Sequence, residues 1–180
     1  MSLHMWRHPK PIGAFGLCVG RTDLPIDSRK AKRLAHRIRA YARRHRLPRC
    51  VVTSQLRRSA AVGRVLARWG WQHVIDTGLD EFDFGAWDGR PWNEIAPEEL
   101  IAWDRDFAAY RTGGGESVSA LLERCRAVVA DCKRADGRRL VVGHAGWISA
   151  ARWLQLKGSE APQASNWPMA IGYGCFITLG

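Results

Sequence analysis

The sequence predicts an α/β protein, a three-layer α/β/α sandwich built on a mostly parallel central sheet. Two observations carry this reading. Short β-like runs alternate with helix-period segments along the whole chain, the pattern of strands joined by helical crossovers. The 180 residues, 46% hydrophobic and 25% charged, also suit a single soluble domain spanning residues 1–180.

The elements follow in order. Leu3–Arg7 is a short apolar run that two prolines, Pro9 and Pro11, bring to a stop. Arg29–Arg46 places Ala31, Leu34, Ala35, Ile38, Tyr41 and Ala42 at helical spacing, with a basic opposite face. Cys50–Thr53 reads as a second strand, and Ser54 as the N-cap of a helix over Leu56–Trp69. His73–Asp76 is the third strand, and Leu79–Pro91 the longest irregular stretch mid-chain. Helices are expected at Asn93–Tyr110, Val118–Ala135 and Trp147–Leu156, with strands at Leu140–Gly143 and Cys175–Leu179. No repeat, low-complexity tract or long linker divides the chain.

Composition excludes several function classes. No apolar run approaches the ~20 residues that span a bilayer, and the start lacks a signal-peptide core, so no membrane association and a cytoplasmic location are expected. The five cysteines, Cys18, Cys50, Cys125, Cys132 and Cys175, are scattered without a C-x-x-C pair and read as free thiols. The net charge of +11 suggests an anionic partner, and ten of the 28 lysines and arginines fall between Arg29 and Arg49. A solvated helix face accounts for that run. The nine tryptophans are not interleaved with it as a base-stacking platform would require, which argues against nucleic acid.

In open parallel sheets ligands gather beyond the carboxyl ends of the strands. The first strand delivers Arg7 and His8 there. The second leads into a helix whose first turn carries Arg57 and Arg58, cations that oppose the helix dipole unless an anion is near. The fourth, "RLVVGHAGW", delivers His144 among small residues. Each signal alone is ordinary. Together, histidines and arginines from three strand ends suit a dianionic phosphoryl group. A metal site fits less well, because no carboxylate stands at ligand spacing and the arginines would repel a cation, so neither metal nor other cofactor is expected. A serine triad also fits poorly, since His144 stands where a nucleophile elbow needs Ser.

These residues resemble the histidine phosphatase superfamily, the phosphoglycerate mutase-like fold, over nearly the whole length. The matching pieces are "RHP" with Arg7 and His8, "TSQLRRSA" with Arg58, "LDEFDFGAWDG" with Glu81, "GGGES" around Glu116, and "VVGHAG" with His144. The stretch "GLCVGRTDLPI", Gly16–Ile26, is most similar to the α-ribazole phosphatase-like branch, acting in cobalamin nucleotide-loop assembly, and makes Arg21 and Thr22 candidates for the substrate pocket. Three positions depart from the common pattern: Pro9 stands where Gly is usual and Pro11 where Thr or Ser is frequent, both changes removing hydrogen-bond donors, and Ser149 stands where Arg is frequent.

The resemblance implies a metal-independent phosphomonoesterase for a small phosphorylated metabolite. His8 would be the nucleophile, forming a phosphohistidine; Arg7, Arg58 and His144 would surround the phosphoryl group; and Glu81 would be the proton donor. Spacing by itself does not choose Glu81 over Asp80, Asp83 or Asp88, which read equally as loop solubilisers, and Glu116 reads as a loop or capping residue. Two alternatives are a phosphoglycerate mutase-type phosphotransferase, whose relatives resemble longer chains, and a non-catalytic basic protein that binds phosphate or nucleic acid. The sequence leaves the oligomeric state open.

Overall fold

The computed structural model describes residues 2–134 and 138–180, and within these it omits the side chains of Ser2, 132–134 and Arg138. The expected free thiol at Cys132 and the last residue of the expected helix Val118–Ala135 lie outside the described residues. Five strands, β1 (Ser2–Arg7), β2 (Cys50–Thr53), β3 (Gln72–Ile75), β4 (Arg138–Gly143) and β5 (Phe176–Leu179), form one sheet in the order β3-β2-β4-β1-β5. All neighbours are parallel except β5, which runs antiparallel to β1 at the edge.

Among the described residues there are five α-helices: α1 (Ser28–Arg44), α2 (Arg57–Ala67), α4 (Val118–Arg134) and α5 (Ala145–Lys157) cover the two faces, and α3 (Pro97–Arg105) lies outside the sheet. Successive strand residues point to opposite faces, so each strand feeds two cores. Leu3, Met5, Val52 and Val141 pack with Leu121, Cys125, Trp147 and Ile148 of α4 and α5. Trp6, Val51, Leu140 and Val142 pack on the other side with Leu34, Ile38, Val62 and Leu66 of α1 and α2. The apolar stripe read from α1 is this second contact: Ala31, Leu34, Ala35, Ile38 and Ala42 are all buried. Asp27 caps that helix by accepting from the Arg29 N–H.

Two expected elements differ. The helix expected over Asn93–Tyr110 is reduced to α3, because Pro97 occupies its first turn and a separate 3-10 turn holds Trp92–Glu94. There Trp87, Trp92, Trp103 and Tyr110 instead pack with Cys18 and Ile95 as a small aromatic cluster outside the sheet. Ser54 does not cap α2, whose N-cap is Leu56 with no side-chain hydrogen bond. Cys18, Cys50 and Cys175 are free thiols, and burial with the nearby Asp88 charge pushes the Cys18 thiol up to about 12. Among the described residues no helix is long and apolar enough to cross a membrane.

The topology decides where a site can form. From β1 the chain passes through α1 to β2, and from β4 it passes through α5 to β5, so the connections leave these adjacent strands in opposite directions. Such a switch point opens a crevice at the strands' carboxyl ends.

Candidate active site

Parallel register brings the two predicted histidines together. Arg7 pairs with Gly143 across β1 and β4, so the next residues, His8 and His144, leave the sheet side by side with ring centroids 4.9 Å apart. Both are buried, at 3% and 0% exposure. The His8 N–H donates to the Gly143 carbonyl at 3.0 Å, extending the ladder one residue past the strand.

The His8 ring is fixed by the residue that departs from the common pattern. Its Nδ1 lies 2.7 Å from the Pro9 carbonyl oxygen. A carbonyl only accepts, so Nδ1 carries the proton and Nε2 keeps its lone pair. Proline removes an N–H at position 9 but keeps the acceptor that orients the imidazole. Burial, then the charges of Arg58 and Arg7, hold the His8 pKa well below its ordinary value, against an opposing pull from the Pro9 carbonyl. Neutral imidazole is therefore the resting form near pH 7.

Ser54, released from any capping role, sets the second ring. Its Oγ lies 2.6 Å from Nε2 of His144, while His144 Nδ1 is buried with no protein partner. Burial, followed by the charges of His8, Arg58 and Arg7, also lowers the His144 pKa well below the ordinary range. Tyr173 completes the wall, 5.6 Å from the His8 ring and 3.8 Å below the Arg7 guanidinium.

Arg7 and Arg58 are held by carbonyls rather than by carboxylates. Arg7 Nη1 donates to Ile171 O at 2.7 Å, and Arg58, 1% exposed, donates from Nη1 to Thr22 O at 2.8 Å and from Nη2 to Gly20 O at 2.5 Å. Neutral acceptors orient the guanidinium groups without cancelling their charge. The Nε of each remains buried and unpartnered. Orphaned buried donors are costly, and here they mark a place suited to a strong acceptor.

The loop that holds Arg58 is shaped by Asp88. Its carboxylate accepts from the backbone N–H groups of Gly20, Arg21 and Thr22 and from the Thr22 hydroxyl. Thr22, a candidate for the substrate pocket, gives its N–H and hydroxyl to Asp88 and its carbonyl to Arg58. Arg21 is half-buried and pairs with the buried Asp80 at 2.5 Å, whose same oxygen accepts from Gln55. Asp80 and Asp88 are thus structural anions, not the loop solubilisers that their sequence neighbourhood suggested.

Glu81, 6% exposed, arrives from the loop after β3 and sits on the N-terminus of α5. Its carboxylate accepts from Phe82 N at 3.0 Å, Gly146 N at 3.2 Å and Trp147 N at 3.3 Å, directly beyond His144. Arg124 ties down the loop beneath it, donating to the carbonyls of Gly78 and Asp80 while pairing with Glu116 at 2.9 Å. Sequence reading missed Arg124, Gln55 and Tyr173. The local signal for Arg124 was a cation within an amphipathic helix, eight residues after an acid in a glycine-rich stretch.

The structure thus gathers His8, His144, Arg7, Arg58 and Glu81 from four separate chain segments. Residues 3–179 match the histidine phosphatase superfamily (branch 1). The chain belongs to that family. A probable phosphoglycerate mutase GpmB of Enterobacter sp. (strain 638) is 30% identical over 135 residues, covering 69% of this chain and 60% of that protein. The chain therefore spans less than two thirds of that relative's length. The fructose-2,6-bisphosphatase of Saccharomyces cerevisiae is 29% identical over 120 residues, 64% of this chain and 26% of that enzyme. Among solved structures, mycobacterial glucosyl-3-phosphoglycerate phosphatase superposes with a TM-score of 0.78 at 26% identity, covering 98% of this chain and 88% of that one. The same enzyme in complex with VO3 gives 0.80.

Proposed function

We propose that this protein is a cytoplasmic phosphomonoesterase that works through a phosphohistidine on His8 and needs no metal. The observation that carries the reading is the His8 ring: a neutral imidazole, its Nδ1 proton held by Pro9, with Arg7 and Arg58 close enough to lower its basicity.

In the first step Nε2 of His8 attacks phosphorus in line with the ester oxygen, the N–P bond forms, and the P–O bond to the alcohol breaks. Arg7 and Arg58 turn their free Nε–H groups to the equatorial oxygens, where charge is greatest. His144 joins them: with the Ser54 hydroxyl donating to Nε2, the neutral ring carries its proton on Nδ1 and donates it to a phosphoryl oxygen. In its acid form Glu81 gives a proton to the leaving alkoxide, and the carboxylate then takes one from the attacking water as phosphohistidine hydrolyses. His8 returns to its starting form and inorganic phosphate leaves. Three buried donors, Nε of Arg7, Nε of Arg58 and Nδ1 of His144, face the phosphoryl group, and a divalent ion placed between the two guanidinium groups would be repelled.

The substrate is a small phosphorylated metabolite, and the Gly16–Ile26 segment supports α-ribazole 5′-phosphate as the first to try. The likeness to glucosyl-3-phosphoglycerate phosphatase makes that sugar phosphate the second. The mutase reading rests on the relative with that name. The non-catalytic reading is favoured if Pro9 disables the site, and the Pro9 carbonyl that orients His8 supports the catalytic reading over it. Quenched incubation with each phosphoester, followed by mapping of acid-labile phosphate, tests the mechanism. Label on His8 and free phosphate as product are expected. Normal turnover by His8→Ala, or label on His144, would overturn the assignment, and isomerised phosphoglycerate without phosphate release would move the protein to the mutases.

A further inference from the structure

A second cationic cavity lies at the opposite end of the sheet from His8. It measures about 370 Å³ and forms where the end of α1 meets the amino ends of β2 and β3.

Arg39, Arg43, Arg46 and Arg49 surround this cavity, and Ala42, Leu47, Trp69 and Trp71 complete its lining. No carboxylate lines it, and none of the four arginines is in an ion pair among the described residues. The Arg39 guanidinium lies 4.9 Å from the Trp69 ring centroid, and His36 packs against the same indole at 4.6 Å. The tryptophan that is remote from the basic run in sequence is therefore set into it by the fold.

Favourable placement at a helix C-terminus accounts for Arg43, in the last turn of α1. It does not account for Arg46. That residue is the one non-glycine with positive φ among the described residues, +51°, at a turn where glycine is the low-strain choice. A strained cation facing three others is a feature that stability alone does not explain.

We propose that this cavity binds single-stranded nucleic acid, its phosphates on the four arginines and one base against Trp69. The inference does not rest on the phosphatase reading. A duplex fits poorly, because its bases are stacked inside and none could reach the indole, whereas an exposed strand offers both phosphates and a free ring. An acidic peptide would use the cations but not the tryptophan. A membrane surface is disfavoured because the apolar stripe of α1 is already buried in the core.

The test is fluorescence anisotropy of the full chain with a short labelled oligouridine across a salt series. Four phosphate contacts predict a slope of log K against log salt of about −3. Arg43→Glu with Arg46→Glu should weaken binding at least about tenfold, while the charge-matched control Arg105→Glu with Lys157→Glu, at exposed positions elsewhere, should change it about twofold or less. Arg46→Gly should flatten the slope by about 0.7 and raise Tm, since glycine relieves the positive φ. Turnover of an aryl phosphate should stay unchanged in all of these variants. Equal weakening by the control pair would reduce the effect to net charge and overturn the proposal. So would displacement of the strand by inorganic phosphate, by a mononucleotide or by polyglutamate at matched charge, or tighter binding of duplex than of single strand.

Discussion

Replacing Glu81 with Gln keeps the side chain's size and removes its acid. In the structure one carboxylate oxygen accepts from Phe82 N and Trp147 N and the other from Gly146 N. The glutamine oxygen can keep the first pair, but its NH2 then faces the Gly146 N–H, and one buried donor loses its acceptor. That costs about 1–3 kcal/mol of stability, a Tm loss of several degrees for a chain of this size. The catalytic loss is separate. With an alkyl phosphate kcat should fall ~10²–10⁴-fold, whereas with an activated aryl phosphate the first step should survive far better and phosphohistidine should accumulate. Stopped-flow release of the aryl alcohol, beside steady-state phosphate release, reads both steps. Gly146→Ala gives an independent check, since its added Cβ would lie 2.7 Å from Glu81 Oε1 and displace the carboxyl group without changing its chemistry. It should reproduce the leaving-group dependence in weaker form. Equal losses on alkyl and aryl substrates in Glu81→Gln would mean that Glu81 serves only as the cap of α5, and an unchanged kcat would refute its role altogether.

Further outcomes follow from the same contacts. His8 and His144 have folded pKa values below the ordinary 6.5, so the unfolded state binds more protons as pH falls below 6.5; their stabilisation is complete above that value and is lost toward acid by up to about 1.4 kcal/mol per pH unit for each histidine, and a Tm series on His8→Gln with His144→Gln should show a shallower slope. Asp88→Asn takes away an anion that holds three backbone N–H groups and the Thr22 hydroxyl, so the loop that orients Arg58 should loosen; KM should rise about tenfold, and an unchanged KM would show that the loop holds itself. Dialysis against a chelator should leave activity intact, and loss restored by a divalent ion would refute the all-protein mechanism.

The sequence by itself determined the alternation of strands and helices, because side-chain period is a local property: the α1 stripe and the apolar runs of β1, β2 and β4 are legible without knowing what they touch. It also determined that histidine and arginine end three strands, since Pro9 and Pro11 stop β1 wherever the chain goes next. Only the tertiary structure decided what those ends do. Ser54 has the chemistry of a cap, yet parallel pairing with β4 carries it to His144, and a hydrogen bond of 2.6 Å across 90 residues leaves no trace in local pattern. Asp80, Asp88 and Glu81 look alike in one acidic loop, and they separate into an ion-pair partner, a loop former and a helix cap only through the groups that fold around them. Trp69 meets the basic helix for the same reason: a partner's distance in space is fixed by packing and register, which spacing along the chain does not encode.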